Sequence, residues 1–331
     1  YTLIYPCLMT PVNELVSKLR AGDTRALARA VSLVENGAPE ASAVLSACFP
    51  HTGRALRVGV TGAPGAGKST LVDRLARTWR AAGSRVGVIA VDPSSPFTGG
   101  ALLGDRIRMQ EHASDDGLYV RSMATRGSLG GLANATADVA QVIEASGRDV
   151  VLIETVGVGQ DEVEIVRLAD VTIVVLVPGM GDDVQSLKAG IMEVADIFAV
   201  NKSDRDGADR VEKEIRAMQT LATTHEDEDW TALIVKTTAT TGEGTNALFA
   251  AISHRCKWLG TDGRLEARRA AYWRDRVEAM LRLALLKEAR AHGLSEDELK
   301  AHANRIASGT EDPYQLVEGV VAKLFDRGVR L

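Results

Sequence analysis

The sequence predicts a doubly wound α/β fold: a mainly parallel sheet with helices on both faces, extended by further helices at each end of the chain. Three observations predict it. Short, near-continuous apolar runs recur through the middle of the chain, Val171-Thr172-Ile173-Val174-Val175-Leu176-Val177 being the purest. Strands without polar alternation are those buried on both faces of a parallel sheet. Stretches with helical spacing separate these runs, so repeated βα units with right-handed crossovers connect them. The first unit, Arg57 to Thr70, sets a glycine-rich turn between an apolar strand and a helix.

In chain order, residues 1–8 precede Met9, which has the look of an initiator. They lack the basic, long-apolar layout of a secretory leader and read as cloning-derived or upstream residues. Residues 9–52 read as an N-terminal helical extension, with helices over 12–22, 23–37 and Ala41–Cys48. Leu15, Val16 and Leu19 share one face, and Leu27, Val31 and Val34 share another. Gly22 and Gly37 stand where helices end, and Asp23 where one is capped.

The main domain spans residues 53–260. Its expected strands are Arg57–Thr61, Val86–Val91, Leu118–Arg121, Val150–Ile153, Val171–Val177, Ile197–Asn201 and Ala232–Thr237. Helices over Lys68–Ala82, Arg106–Ala113, Gly131–Ser146, Val163–Leu168, Val184–Val194, Asp209–Ala222 and Thr245–Trp258 alternate with them. A ligand of such a sheet lies at the carboxyl ends of the strands. Beyond residue 260 the strand signal stops. Trp273, Val277, Met280, Leu281, Ala284 and Leu285 form one helical stripe; Leu316, Val317, Val320, Val321 and Leu324 form a second. Such stripes either bury against the main domain or pair with a second copy.

Composition excludes some classes. With 331 residues, 45% apolar and 25% charged, the chain is an ordinary globular one. A net charge of −5 and 4% aromatic residues argue against a basic nucleic-acid surface and against base-stacking platforms. No run of about 18 apolar residues appears, so no membrane span is expected. Three scattered cysteines, Cys7, Cys48 and Cys256, follow no disulfide or metal spacing and point to a reducing compartment, the cytoplasm.

The chemistry begins at Gly62-Ala63-Pro64-Gly65-Ala66-Gly67-Lys68-Ser69-Thr70, which fits the phosphate-loop pattern at each specified position. Glycines let backbone N–H groups face phosphate oxygens, and the helix that follows adds its positive end. Lys68 is expected on the β/γ phosphates and the Ser69 hydroxyl on Mg2+. The fold expectation thereby narrows to a P-loop NTPase. The strand Val150–Ile153 ends in Glu154-Thr155-Val156-Gly157. An acid there orders the Mg2+ shell, and the Gly157 N–H can meet the γ-phosphate. The usual acid is Asp; this chain has Glu154. Asp92, at the end of Val86–Val91, and Asp105, at the head of the next helix, are expected near Mg2+, although Asp105 also suits a plain helix cap. Catalysis is thus assigned to Lys68, Asp92, Asp105 and Glu154, and Mg2+ to Ser69, Asp92, Asp105 and Glu154.

The strand Ile197–Val200 ends in Asn201-Lys202-Ser203-Asp204. Asp204 accepts from guanine N1–H and its 2-amine, which adenine cannot match, so GTP is favoured over ATP. Lys202 lays its stem along the purine and Asn201 ties the loop together. Thr238-Ala239 resembles the loop whose backbone N–H donates to guanine O6. Val158 follows Gly157 where many signalling GTPases carry a water-orienting Gln, so intrinsic hydrolysis is expected to be slow. Gln160, two residues further on, could serve after rearrangement; Arg106, Arg108 and Arg126 read as structural residues, with electrostatic help to hydrolysis as the alternative. A charged, glycine-rich loop from Pro178 to Lys188 reads as a second switch.

These motifs together resemble the MeaB/ArgK family of SIMIBI-class P-loop GTPases. They are the Gly62–Thr70 loop, Val91-Asp92-Pro93-Ser94-Ser95-Pro96-Phe97-Thr98-Gly99-Gly100 with the following Asp105-Arg106, Glu154-Thr155-Val156-Gly157-Val158-Gly159-Gln160, and Asn201-Lys202-Ser203-Asp204. The likeness runs from about Ala38 to the C-terminus and is nearest to the bacterial MeaB branch. It implies a homodimeric GTPase, dimerised through its C-terminal region 261–331. Its implied partner is the adenosylcobalamin-dependent methylmalonyl-CoA mutase, whose cofactor loading it gates and which it protects from inactivation. An older family label, an ATPase of amino-acid transport, conflicts with Asn201–Asp204. Two other readings are a metallochaperone-type GTPase, disfavoured by the absence of a Cys/His tract, and a P-loop small-molecule kinase, disfavoured by Asn201–Asp204.

Overall fold

Residues Leu56–Gly62 form β1, and every other strand is arranged about it. The others are β2 (Val86–Asp92), β3 (Leu118–Ala124), β4 (Val150–Glu154), β5 (Val171–Leu176), β6 (Ile197–Asn201) and β7 (Leu233–Thr237). Among the described residues they make one seven-stranded sheet in the order β3-β2-β4-β1-β5-β6-β7. All of its pairings are parallel. The structure is a computed structural model, and it describes residues 9–92, 115–124, 131–155, 167–179, 195–222, 230–291 and 294–326. The expected helices at Arg106–Ala113 and Val184–Val194, most of that at Val163–Leu168, and residues 1–8 lie outside them.

The chain divides into two units, one running to Leu265 and the other starting at Glu266. In the first, helices α1 (Met9–Arg20), α2 (Thr24–Glu35) and α3 (Ala41–Cys48) precede the sheet. Asp23 caps α2, its carboxylate accepting from the N–H groups of Arg25 and Ala26 at 2.8 and 3.0 Å. Leu19, Leu27 and Val31 are fully buried, as their helical spacing predicts. The three helices pack against one another and, through α2 and α3, against α5 (Gly131–Ala145). Gln141 donates to the Leu45 carbonyl at 3.1 Å, and Arg121 on β3 pairs with Glu35.

The two faces of the sheet are covered by different helices. Val58, Val60 and Ile173 pack with Leu71, Leu75 and Trp79 of α4 (Lys68–Ala81) and with Leu248 and Ile252 of α7 (Thr245–Leu259). Val174, Phe198 and Val200 pack with Val211 and Ile215 of α6 (Ala208–Ala222). Alternate residues of β5 therefore serve opposite layers, which is why its run contains no polar period.

The amino edge of the sheet is held by buried charges. Glu144 pairs with Arg57 at 2.7 Å and accepts from the N–H groups of Arg54 and Ala55. Asp170 accepts from the Arg57 N–H at 2.9 Å, and Asp196 from the Thr172 N–H at 2.7 Å. Arg255 pairs with Asp196 at 2.7 Å while stacking over the rings of Trp230 and Trp258. Glu144 satisfies backbone donors just ahead of β1, and Asp170 and Asp196 each satisfy the second N–H of a strand, so the strand starts are fixed relative to one another.

The second unit is helical. It contains nearly all of α8 (Arg264–Ala291), then α9 (Glu296–Ala307) and α10 (Pro313–Asp326). Ser295 and Glu298 form a capping box on α9. His302 and Arg305 both meet Glu311 just ahead of α10, and hydrogen bonding lowers the pKa of that carboxylate. Val277, Met280, Leu281 and Leu286 on α8, with Val317 and Val321 on α10, are exposed. Among the described residues no helix is long and apolar enough to cross a membrane.

Candidate functional site

The phosphate loop leaves β1 at Gly62, whose φ is +142°. A Cβ there would lie 2.2 Å from the Val175 carbonyl oxygen of neighbouring β5, so no side chain fits. The turn runs through Ala63, the exposed Pro64 and Gly65, and the buried Ala66. It reaches Gly67, which caps α4 at φ +90°. Lys68 is 6% exposed, and its ammonium donates to the carbonyls of Gly62 at 2.8 Å and Ala63 at 3.1 Å. The ammonium thus sits inside the curl of the loop, and Ser69 and Thr70 follow in the first turn of α4.

Ser69 Oγ donates to Glu154 Oε1 at 2.6 Å. Glu154 ends β4, the neighbour of β1, in register with Val60, and is buried. The next residue, Thr155, donates its N–H to the Val60 carbonyl and its hydroxyl to Thr61 Oγ1 at 2.9 Å. Ala90 of β2 is also in register with Glu154, so Asp92, two residues on, stands at the same carboxyl edge. A hydroxyl and a carboxylate side by side are hard oxygen donors that fit Mg2+. Among the described residues no group of three or more His, Cys, Asp or Glu is placed to hold a metal. Asp105, Gly157, Val158, Gln160, Arg106, Arg108, Arg126 and the loop from Met180 to Lys188 lie outside the described residues.

The second half of the cradle comes from β6 and β7. Asn201 closes β6 and is buried. Its Nδ2 donates to the Ala66 carbonyl at 2.8 Å, and its Oδ1 accepts from the Ala239 N–H at 3.0 Å and from Thr237 Oγ1 at 3.2 Å. Lys202 takes the left-handed conformation at φ 56°, and its ammonium donates to the Gly65 carbonyl at 2.8 Å. A non-glycine residue held there is strained, and such strain gathers at functional positions. Ser203 donates its N–H to the Thr237 carbonyl, its hydroxyl meets Thr238 Oγ1 at 3.2 Å, and Asp204 is exposed on the same turn. The Thr238 N–H donates to the Glu243 carbonyl, closing the Ala239 loop.

Sequence segments more than 130 positions apart thus meet in one cradle, with Asn201 and Lys202 both touching the phosphate loop. Two contributors escaped the sequence reading. Thr237 is a fully buried hydroxyl on Asn201; a Thr ending an apolar strand beside the Thr238-Ala239 pair was its only signal. Arg74, on α4, donates to the carbonyls of Ala239 and Thr240; nothing local marks it.

A family model described as methylmalonyl-CoA mutase-associated GTPase MeaB matches residues 27–293. The chain belongs to the MeaB family. The matched MeaB region takes in the whole cradle from Gly62 to Ala239 and stops short of α9. A Pyrococcus horikoshii protein bearing a provisional GTPase name is 46% identical over 96% of this chain and 100% of its own length. GTPase ArgK of Escherichia coli is 45% identical over 58% of this chain and 60% of its own. The mitochondrial methylmalonic aciduria type A homolog of Mus musculus is 31% identical over 91% of this chain and 77% of its own. A crystal structure titled LAO/AO transport system kinase superposes with a TM-score of 0.71 at 27% identity, covering 98% of this chain and 99% of that one. The chain has a P-loop NTPase fold with helical extensions at both ends, and it matches that crystal structure over nearly its whole length.

Proposed function

We propose that this MeaB-family chain binds and hydrolyses Mg2+·GTP in the cytoplasm. In this reading it gates cofactor loading of an adenosylcobalamin-dependent methylmalonyl-CoA mutase and protects that enzyme from inactivation. The observation that carries the nucleotide reading is Asn201, which joins the phosphate loop to the Ala239 loop through hydrogen bonds of 2.8 and 3.0 Å. It sets a phosphate-holding and a base-reading element at a fixed spacing. The family's description, which names the mutase, supports the partner.

In this site the Gly62–Thr70 backbone N–H groups hold the phosphates and Lys68 turns from its loop carbonyls toward the β/γ oxygens. Ser69 and Glu154, with Asp92, would hold Mg2+, which supplies charge neutralisation as the γ-phosphoryl is transferred to water. Asp105 would join them at Mg2+, and the Gly157 N–H would meet the γ-phosphate. Asp204 accepts from guanine N1–H and the 2-amine, the Ala239 N–H donates to O6, and Lys202 covers the purine face. With Val158 after Gly157, hydrolysis would be slow until a partner assists.

Residues 9–52 act as a buttress, 53–260 as the GTPase domain and 261–331 as the dimerisation region. The exposed Val277, Met280, Leu281 and Leu286 on one helix support self-association, since an exposed apolar cluster marks an interaction surface. The test is hydrolysis of GTP and ATP with and without the mutase, each in the presence of Mg2+. GTP turnover above ATP turnover, raised by the mutase, is the expected result. Equal turnover of the two nucleotides overturns the base reading, and indifference to the mutase overturns the partner reading.

A further inference from the structure

The loop assigned to guanine O6 is gripped from the helix assigned to the phosphates. Arg74 lies on α4, six residues after Lys68. Its Nε donates to the Ala239 carbonyl at 3.0 Å, and its Nη2 donates to the Thr240 carbonyl at 2.6 Å. These are consecutive carbonyls of one turn, taken by two nitrogens of one planar fork. From the opposite side the Ala239 N–H is held by Asn201 Oδ1. Ala239, 3% exposed, is therefore fixed at both its donor and its acceptor. Gly242, at φ +87°, folds the rest of the turn over the Arg74 guanidinium, which a Cβ there would meet at 3.8 Å.

The chemistry of the grip is particular. Among the described residues Arg74 has no carboxylate partner, so its charge is spent on the two carbonyls. A charged donor makes a stronger hydrogen bond than a neutral one, and a guanidinium holds two acceptors in one orientation. A lysine ammonium reaches one at a time. The loop also has its own closure through Thr238 and Glu243, so Arg74 is not required merely to form the turn. What it adds is a fixed position relative to α4, whose first residues line the phosphate loop.

We propose that Arg74 is a positioning residue for base selection: by fixing the Ala239 carbonyl it holds the Ala239 N–H, which donates to Asn201 Oδ1 in this structure, where an arriving guanine O6 can share it as a three-centre bond, at a spacing set by the phosphate-binding helix. This rests on the reading of the cradle as a guanine-nucleotide site. It assigns O6 selectivity to a residue outside the base-reading motifs.

The test measures dissociation constants of three diphosphates for the full chain and for Arg74→Gln and Arg74→Lys. GDP carries both O6 and the 2-amine. Inosine diphosphate keeps O6 and lacks the amine. The 2,6-diaminopurine riboside diphosphate keeps the 2-amine, carries an amine in place of O6 and lacks the N1–H, a difference common to every variant, so the change between variants reports on position 6. In Arg74→Gln the preference for GDP over the diaminopurine nucleotide is expected to shrink about tenfold, the scale of one hydrogen bond. The preference for GDP over inosine diphosphate, which reports on Asp204, is expected to stay unchanged. Arg74→Lys, keeping one bond, is expected to fall between. Equal weakening of all three ligands, or no change in any, overturns the proposal. Thermal melting without nucleotide identifies a variant that does not fold, in which case Arg74→Lys carries the comparison. A full chain that binds ADP as well as GDP overturns the guanine reading itself, independently of Arg74.

Discussion

Asn201 and Ala66, 135 positions apart, are joined by a 2.8 Å hydrogen bond from the Asn201 amide to the Ala66 carbonyl. The same side chain accepts from Ala239 and Thr237, so three segments converge on one buried amide. Asn201→Ala leaves the Ala66 carbonyl and the Ala239 N–H without that partner. The expected cost is about 1–3 kcal/mol of stability. GDP affinity is expected to fall by about 100-fold, since both halves of the cradle are released. Urea denaturation and fluorescent-nucleotide titration check the two numbers separately.

Gly67 meets the same residue. A Cβ at position 67 would stand 2.4 Å from Asn201 Nδ2, and the backbone there has φ +90°. Gly67→Ala combines a clash with left-handed strain, for an expected loss of about 2–4 kcal/mol. Asn201→Ala removes the clash and leaves the strain. The double variant is therefore expected to be more stable than the sum of the single losses, and a double-mutant cycle reads that coupling. Strict additivity would show that the two residues do not touch.

Lys68 and Ser69 are adjacent but have different expected losses. Lys68→Ala is expected to abolish detectable GTP turnover and weaken nucleotide binding at any Mg2+ concentration. Ser69→Ala removes a hydroxyl that lies 2.6 Å from Glu154 Oε1. It is expected to raise the Mg2+ concentration needed for half-maximal turnover by about tenfold, with partial recovery at high Mg2+. Magnesium titrations of both variants distinguish them; wild-type turnover in Lys68→Ala would remove the site assignment.

The phosphate loop, the parallel strands and the three N-terminal helices were legible because each is written in neighbouring residues. Gly62–Ser69 is a local pattern, and β5 is a local apolar run. Even Asn201–Asp204 is local, and its place at the end of an apolar strand aims it at the carboxyl edge. Arg74 was not legible, because its partners lie 165 and 166 positions away and are backbone carbonyls, which carry no residue identity. Thr237 and the acids Glu144, Asp170 and Asp196 escaped for a related reason. In sequence they look like polar residues at element ends, and only the strand order brings each to its donor. The break between the units also depended on packing, since α8 begins at Arg264 and the second unit at Glu266.

The pair Arg57–Glu144 offers a test away from the nucleotide. Both groups are buried, and the carboxylate also serves two backbone donors. Glu144→Gln keeps the shape and leaves the Arg57 charge uncompensated, for an expected loss of about 3–5 kcal/mol in urea denaturation. GDP affinity of the folded variant is expected to be unchanged, because the pair sits at the opposite edge of the sheet. A neutral result would mean that the edge is held by Asp170 and Asp196 instead.

The order of the strands also sets a schedule for synthesis. β1 is the first strand made, yet its hydrogen-bonding neighbours are β4 and β5, which begin at Val150 and Val171. On the ribosome the glycine-rich loop therefore emerges attached to a strand that has nothing to pair with. At elongation speeds of roughly 5–20 residues per second, that interval lasts on the order of 5–25 s. Asn201 and Ala239 leave the exit tunnel later still. A nascent chain can gain no stability from GTP until most of it has been translated, and until then the exposed edges of β1 need shielding by whatever waits at the tunnel mouth.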